Sequence, residues 1–221
     1  QIAHHLATHD VRLPSGDRLT PRRFQQLGFF FGASDGFEHT HYLLETAFVE
    51  GATGQEISYK FLRGIENAFH FETNPIFAIL HEAIYCQQEA SHWAAERVRA
   101  EYPQFQIEPD KPVIFTGEMI YPWMFDEYRY LRPLKEAAEI LAAYDGWPRL
   151  YDLAVLQANS VPCVAAVYYE DMYVERAFSE ETAENIHGIK LWITNEYEHN
   201  GLRADGEAVL GRLLDILHGQ A

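Results

Sequence analysis

The sequence predicts an α/β fold, a parallel sheet with flanking helices joined to a mostly helical subdomain, on three observations. The first is Val161–Tyr169, an apolar and β-rich run of the length and composition of a covered strand. The second is Ile189–Thr194, a shorter run that reads as the next strand, with a helix between the two. The third is the region from Phe37 to about Val98, where apolar residues recur at helical spacing. Residues 1–22 then form an irregular N-terminal segment, residues 23–110 the helical subdomain, and residues 111–221 the α/β part.

Each element has a local reason. Leu13-Pro14-Ser15-Gly16-Asp17 is a turn signal, since proline presets one backbone angle and glycine accepts a left-handed one. Phe37, Leu44 and Phe48 share a helical face, as do Ile57, Phe61, Ile65 and Phe69. Asn74-Pro75 is a cap followed by proline at the first helical position, and it opens a helix over Ile76–Tyr85. A further helix runs through Trp93 and Val98. Pro112–Thr116 reads as a short apolar strand. Pro133 opens a helix through Ala143 with Leu134, Ala137, Ala138 and Leu141 on one face, ended by Asp145-Gly146. Pro162 stands at the start of its strand, where a missing N–H costs least. Ser179 caps the connecting helix, Glu180 and Glu181 suit its first turn, and Gly188 closes it. A last helix, about Ala204–His218, turns Val209, Leu210, Leu213, Ile216 and Leu217 inward over the sheet.

Composition excludes several function classes. A chain of 221 residues, 48% hydrophobic and 14% aromatic, can build a real core with an aromatic-rich interior. No apolar run approaches the roughly 18 residues of a membrane helix, and no signal-peptide pattern opens the chain. A formal charge of −16 argues against nucleic acid or an anionic membrane as partner. The two cysteines, Cys86 and Cys163, have neither metal nor redox spacing. They suit a reducing cytoplasm, the expected location, with a single disulfide left open. His4, His5 and His9 stand close together, but nothing around them completes a metal site, and they read as surface residues.

The chemistry-bearing residues lie at the ends of the two predicted strands. Asp171 follows the first and His199 the second, 28 positions later. Parallel strands joined by a helix put both side chains at the carboxyl edge of the sheet, where open α/β sheets bind ligands. An acid there can hold the imidazole in one tautomer and stabilise its charged form. The imidazole can then take a proton from a serine and pass it to a leaving amine. This is the layout of the last two members of an α/β-hydrolase triad, ordered Ser, Asp, His.

Three segments carry a family resemblance: Phe115–Phe125 (FTGEMIYPWMF), Asp171–Val174 (DMYV) and Asn195–Gly201 (NEYEHNG). They resemble the C-terminal half of proline iminopeptidases, α/β-hydrolase aminopeptidases that remove an N-terminal proline, and are closest to the larger bacterial type. The resemblance covers most of the chain, including Val11–Phe48 and the helical region after it. It implies a helical cap followed by the last part of a catalytic core. The family's oxyanion segment, an HGGPG-like run, and its nucleophile elbow are not found upstream of the cap. The attacking serine is therefore expected in a missing N-terminal half of the enzyme, and the chain alone is expected to be inactive. Gln1 at the start, in place of Met, fits a processed fragment.

The same resemblance suggests substrate contacts. Glu82, in His81-Glu82-Ala83-Ile84-Tyr85, matches the cap glutamate that binds the substrate's free α-amine; the alternative is a glutamate on the polar side of its helix. No histidine follows at the spacing a zinc site requires. Glu118, just past the Pro112–Thr116 strand, would stand at the same sheet edge as Asp171 and His199. It reads either as a second acidic contact to the amine or as a structural ion pair. Tyr121, Trp123, Met124 and Phe125 can line a slot for a proline ring or simply fill the core. Tyr173 and Val174, next to Asp171, are further pocket residues by resemblance. No metal or organic cofactor is implied. The expected partners are a peptide with N-terminal proline, the missing half of the enzyme, and a second copy of the chain at the unpaired sheet edge.

One motif competes with this reading. Gly32-Ala33-Ser34-Asp35-Gly36 matches the G-x-S-x-G elbow, after the apolar Leu27–Phe31 and before a helix. An elbow needs earlier strands and an oxyanion-hole loop, and the residues before Ser34 contain no convincing strand. Ser34 or Asp35 reads better as an N-cap, with Glu38 completing a capping box after Asp35. A self-contained hydrolase using Ser34 and a non-catalytic binding module of hydrolase descent stay as alternatives.

Overall fold

The computed structural model describes residues 1–52, 54–108 and 111–220, which fold as two units. The larger comprises residues 1–29 and 38–148, the smaller residues 30–37 and 149–221. The protein is mixed α/β, mostly helical, with a small parallel sheet.

In the larger unit, α1 (Ile2–Thr8) is a helix within the stretch expected to be irregular, because it buries Ala3 and Leu6. The predicted turn follows: Gly16 has φ +92°, and the N–H of Leu13 donates to Asp17 O at 2.8 Å. Thr20 accepts from the N–H of Arg23 and caps α2 (Pro21–Gln25), with Pro21 at its first position. After α3 (Gly36–Glu45) the expected helical pattern breaks. Phe48 and Ile57 belong to an antiparallel hairpin, β1 (Phe48–Gly51) and β2 (Gly54–Ile57), and are cross-strand partners. Each keeps helical spacing with the helix beside it, Phe48 with Leu44 and Ile57 with Phe61, and the cross-strand pairing decides for the hairpin. Ser58 caps α4 (Tyr59–Ala68), which buries Phe61 and Ile65 as anticipated. The helix after Asn74, α5 (Pro75–His81), is shorter than expected, and α6 (Ala94–Ala100) begins after Trp93 in the left-handed region. Next come α7 (Met124–Glu127) and α8 (Lys135–Ala143), the latter as read from Pro133 onward.

Pro112–Thr116 is not a strand. Its backbone is tied to one glutamine: Gln25 Nε2 donates to Ile114 O at 2.8 Å, and the N–H of Thr116 donates to Gln25 O at 3.0 Å. Glu118 therefore belongs to no sheet, and the shared edge expected with Asp171 and His199 is absent among the described residues. Tyr121, Trp123, Met124 and Phe125 are core, with Tyr121 and Trp123 stacked at 5.6 Å. Arg23 lies among them, fully buried, paired with Asp17 at 3.3 Å and Glu72 at 2.8 Å and lying 3.8 Å over the Tyr128 ring. Burial pushes the Tyr128 hydroxyl well above its ordinary pKa.

In the smaller unit Asp152 caps α9 (Leu153–Gln157), accepting from the N–H groups of Ala154 and Val155. β3 (Cys163–Tyr168) follows, then α10 (Arg176–Glu184), then β4 (Ile189–Thr194). The strands pair in parallel from Cys163 opposite Ile189 to Tyr168 opposite Thr194. The connecting helix starts before Ser179, with Glu175 rather than Ser179 at its N-cap. The last helix, α11 (Gly201–His218), packs on both strands. It buries Val209, while Leu210, expected inward, is 53% exposed. Cys86 and Cys163 are free thiols, one in each unit.

Candidate active site

Two parallel strands end together, and the loops after them carry the acid and the imidazole. Asp171 stands three residues beyond the end of β3, in a tight turn built on its own carboxylate. Its Oδ1 accepts from the N–H groups of Tyr173 at 2.8 Å and Val174 at 2.9 Å. This is an Asx-type turn, and aspartate is the residue suited to it because its short side chain reaches its own downstream backbone. The other oxygen, Oδ2, accepts from His199 Nδ1 at 2.8 Å. A carboxylate can only accept, so the proton of the neutral imidazole sits on Nδ1 and the lone pair on Nε2. The Asp171 side chain is 7% exposed and that of His199 46% exposed. The pair thus has a buried anchor and an accessible working end.

The imidazole is held from other sides as well. The Tyr173 ring meets it edge-on, with centroids 4.8 Å apart at 68°. The backbone N–H of His199 donates to Gly32 O at 3.2 Å. Asn200 exchanges two hydrogen bonds with Ser34: the Ser34 N–H donates to Asn200 Oδ1 at 3.0 Å, and Asn200 Nδ2 donates to Ser34 Oγ at 3.1 Å. Asp35 pairs with Arg203 at 2.9 Å. The side chains expected to cap α3 are thus turned toward the start of α11. Sequence spacing missed Gly32, Asn200 and their contacts, since about 166 positions separate Ser34 from Asn200 and no periodicity reports so distant a pairing.

The two glutamates expected to bind the amine sit in the larger unit. Glu82 follows the last residue of α5 as its C-cap, and its Oε1 accepts from the Ala94 N–H at 2.6 Å. It therefore satisfies a donor at the start of α6, where Trp93 supplies no side-chain cap. Burial raises the Glu82 pKa above its ordinary value, against hydrogen bonds from Ala94 and Ser91 and the charge of Arg97. Glu118 is half-buried. Val174 is 44% exposed and Tyr173 half-buried, both in the smaller unit. His5 and His9 stack at 4.0 Å on the exposed N-terminal helix, and among the described residues no group of three His, Cys, Asp or Glu side chains is placed to hold a metal ion. No described helix is long and apolar enough to cross a membrane.

No family model matches the chain. It is, however, 53% identical over 216 residues to a proline iminopeptidase of Aeromonas sobria, a match covering 98% of this chain and 50% of that protein. The chain is a homologue of proline iminopeptidases. A proline iminopeptidase of Aspergillus aculeatus is 33% identical over 223 residues, covering 98% of this chain and 48% of its own length. The chain thus spans about half the length of the proline iminopeptidases it matches. The resemblance read from DMYV, NEYEHNG and FTGEMIYPWMF agrees with both matches.

Proposed function

We propose that these 221 residues supply the acid–base pair and the amine-binding residues of a serine aminopeptidase that releases proline from the N-terminus of peptides. The fold assigned to them is the cap and C-terminal part of an α/β-hydrolase core. The attacking serine is contributed by a part of the enzyme outside these residues. The observation that carries the reading is the 2.8 Å hydrogen bond from His199 Nδ1 to a buried Asp171 carboxylate, at the carboxyl ends of two parallel strands. Homology to proline iminopeptidases supports the substrate class.

In this mechanism His199 Nε2 takes the serine proton as the hydroxyl oxygen attacks the carbonyl carbon of the N-terminal proline. The imidazolium that forms is stabilised by Asp171. It returns the proton to the departing amine nitrogen as the C–N bond breaks, leaving an acyl-enzyme. Water, deprotonated by the same Nε2, then frees proline and regenerates the serine. Glu82 and Glu118 hold the substrate's cationic amine, and Tyr173 and Val174 line the pocket. No cofactor enters any of these steps.

Ser34 fits the nucleophile role poorly. Both its N–H and its hydroxyl engage Asn200, and among the described residues its hydroxyl makes no hydrogen bond to His199, the contact through which an attacking serine hands over its proton. The non-catalytic alternative calls for Asp171 and His199 to be out of hydrogen-bond reach, and they are not. The test is hydrolysis of a proline arylamide by material whose intact mass and peptide map identify this chain alone. Absence of turnover is expected. Turnover by this chain alone that Ser34→Ala abolishes would replace the proposal with the self-contained hydrolase.

A further inference from the structure

We propose that the segment Gly32–Ser34, although it opens a run that matches a nucleophile elbow, is a positioning clamp that fixes the His199 loop. The inference rests on His199 being the general base.

Consider what must hold an imidazole in place. The bond to Asp171 sets one ring nitrogen, but the ring can still swing about that contact, and His199 sits in a loop outside regular structure between β4 and α11. Three further restraints come from Gly32–Ser34. The carbonyl of Gly32 accepts from the His199 N–H at 3.2 Å, which fixes the backbone. Ser34 engages the Asn200 amide group at both ends, 3.0 Å to its oxygen and 3.1 Å from its nitrogen, which fixes the next residue. The third is steric. Gly32 is buried, and a Cβ built on it would lie 2.0 Å from Cε2 of Tyr173. That ring in turn meets the imidazole edge-on. Only glycine lets Tyr173 occupy the place from which it bounds His199.

These contacts account for the motif without nucleophilic chemistry. The first glycine is required by the Tyr173 ring and the serine by the Asn200 amide. The second, Gly36, is required by its own turn, since a Cβ there would meet Phe30 O at 1.9 Å. Gly32 and Ser34 touch no reacting atom in this scheme; they act through Tyr173 and Asn200 and are positioning residues.

Two readouts test the clamp. The first needs no turnover: long-range proton–nitrogen NMR of the 221-residue protein, with the His199 signals assigned by His199→Gln. The unsubstituted protein should show the Nδ1–H tautomer. Asn200→Ala and Gly32→Ala should mix the tautomers and speed exchange of the His199 amide roughly tenfold or more. Ser34→Ala should give a smaller change, since its N–H still reaches Asn200, and Ser34→Thr should restore the original spectrum. The second is kinetic, in the full-length enzyme carrying these residues. There Asn200→Ala and Ser34→Ala should lower kcat for a proline arylamide by about 10- to 100-fold with KM little changed. An unaltered His199 tautomer and exchange rate in Asn200→Ala and Ser34→Ala would overturn the clamp, even if Gly32→Ala fails to fold. Total loss of turnover in Ser34→Ala with an unchanged imidazole signal would overturn it too, by making Ser34 the nucleophile. Full activity in His199→Gln would instead sink the general-base assignment, leaving the NMR result as a separate fact about the loop.

Discussion

The two units order their parts by different means. In the larger one, apolar side chains from Leu6 through Leu27, Phe61, Phe71 and Phe125 to Ala142 are buried, and a buried arginine network runs among them. In the smaller one, the buried apolar side chains among the described residues are Val167 and Val209, while Val161, Phe178, Ile193, Leu202, Leu210 and Leu214 are exposed. Yet the smaller unit holds the acid–histidine pair. Its precision comes from directed contacts converging on one loop: the Asp171 turn, the Gly32 carbonyl and the Ser34–Asn200 exchange. Packing gives the larger unit stability, and hydrogen-bond geometry orders the acid–histidine pair of the smaller one.

Function and stability should separate most at the acid–histidine pair. Under the proposed mechanism, His199→Ala in the full-length enzyme should lower kcat by about 10³-fold or more. Its urea midpoint should barely move, since the ring is half exposed and covers no core. Arg23→Ala should do the reverse. It removes the cation paired with half-buried Glu72 and one of the two paired with buried Asp17, which keeps Arg132 at 2.6 Å, a loss of about 3 kcal/mol, read by urea unfolding of the 221-residue chain. The His199–Asp171 hydrogen bond should persist in native buffer. Val209→Ala removes one of the few covered apolar side chains of the smaller unit and should cost about 2 kcal/mol, with an unfolding transition separate from that of Arg23→Ala. The smallest effect belongs to Arg203→Ala. Its pair with Asp35 is 67% and 73% exposed, so less than about 0.5 kcal/mol is expected.

The pH dependence sharpens the contrast within the larger unit. Burial raises the Glu82 pKa, so between its ordinary value and the raised one the folded protein binds more protons than the unfolded chain. Stability contributed by this group is therefore present below the ordinary carboxylate range and declines as pH rises through the raised value. Glu82→Gln should flatten that decline in urea midpoints measured across mildly acidic pH. An unchanged slope would show that Glu82 titrates normally.

Much of this was legible in the sequence because it is local. Val161–Tyr169 and Ile189–Thr194 read as strands from β-branched apolar runs bounded by proline and glycine, and β3 and β4 fall within them. Asp171 and His199 followed from their places after those strands. Phe48 keeps helical spacing with Phe37 and Leu44, and Ile57 with Phe61 and Ile65, so neither pattern could report that the two residues pair with each other across a hairpin. Pro112–Thr116 was misread because an apolar run cannot report that its partner is the Gln25 side chain rather than a strand. The role of Ser34 was hidden for the opposite reason: its motif was too familiar, and the contact that explains it lies with Asn200, far along the chain.

In the proposed mechanism Asp171 holds His199 in the Nδ1–H tautomer for acid–base work. The most direct measurement is the steady-state hydrolysis of a proline arylamide by the full-length enzyme bearing Asp171→Asn. An asparagine amide can present a donor to Nδ1 and favour the other tautomer. The prediction is a fall in kcat of about 10⁴-fold with KM within a small factor of its original value. A kcat within a few-fold of the unsubstituted enzyme would contradict the account, because the pair at the end of β3 and β4 would then not be the one that moves the proton.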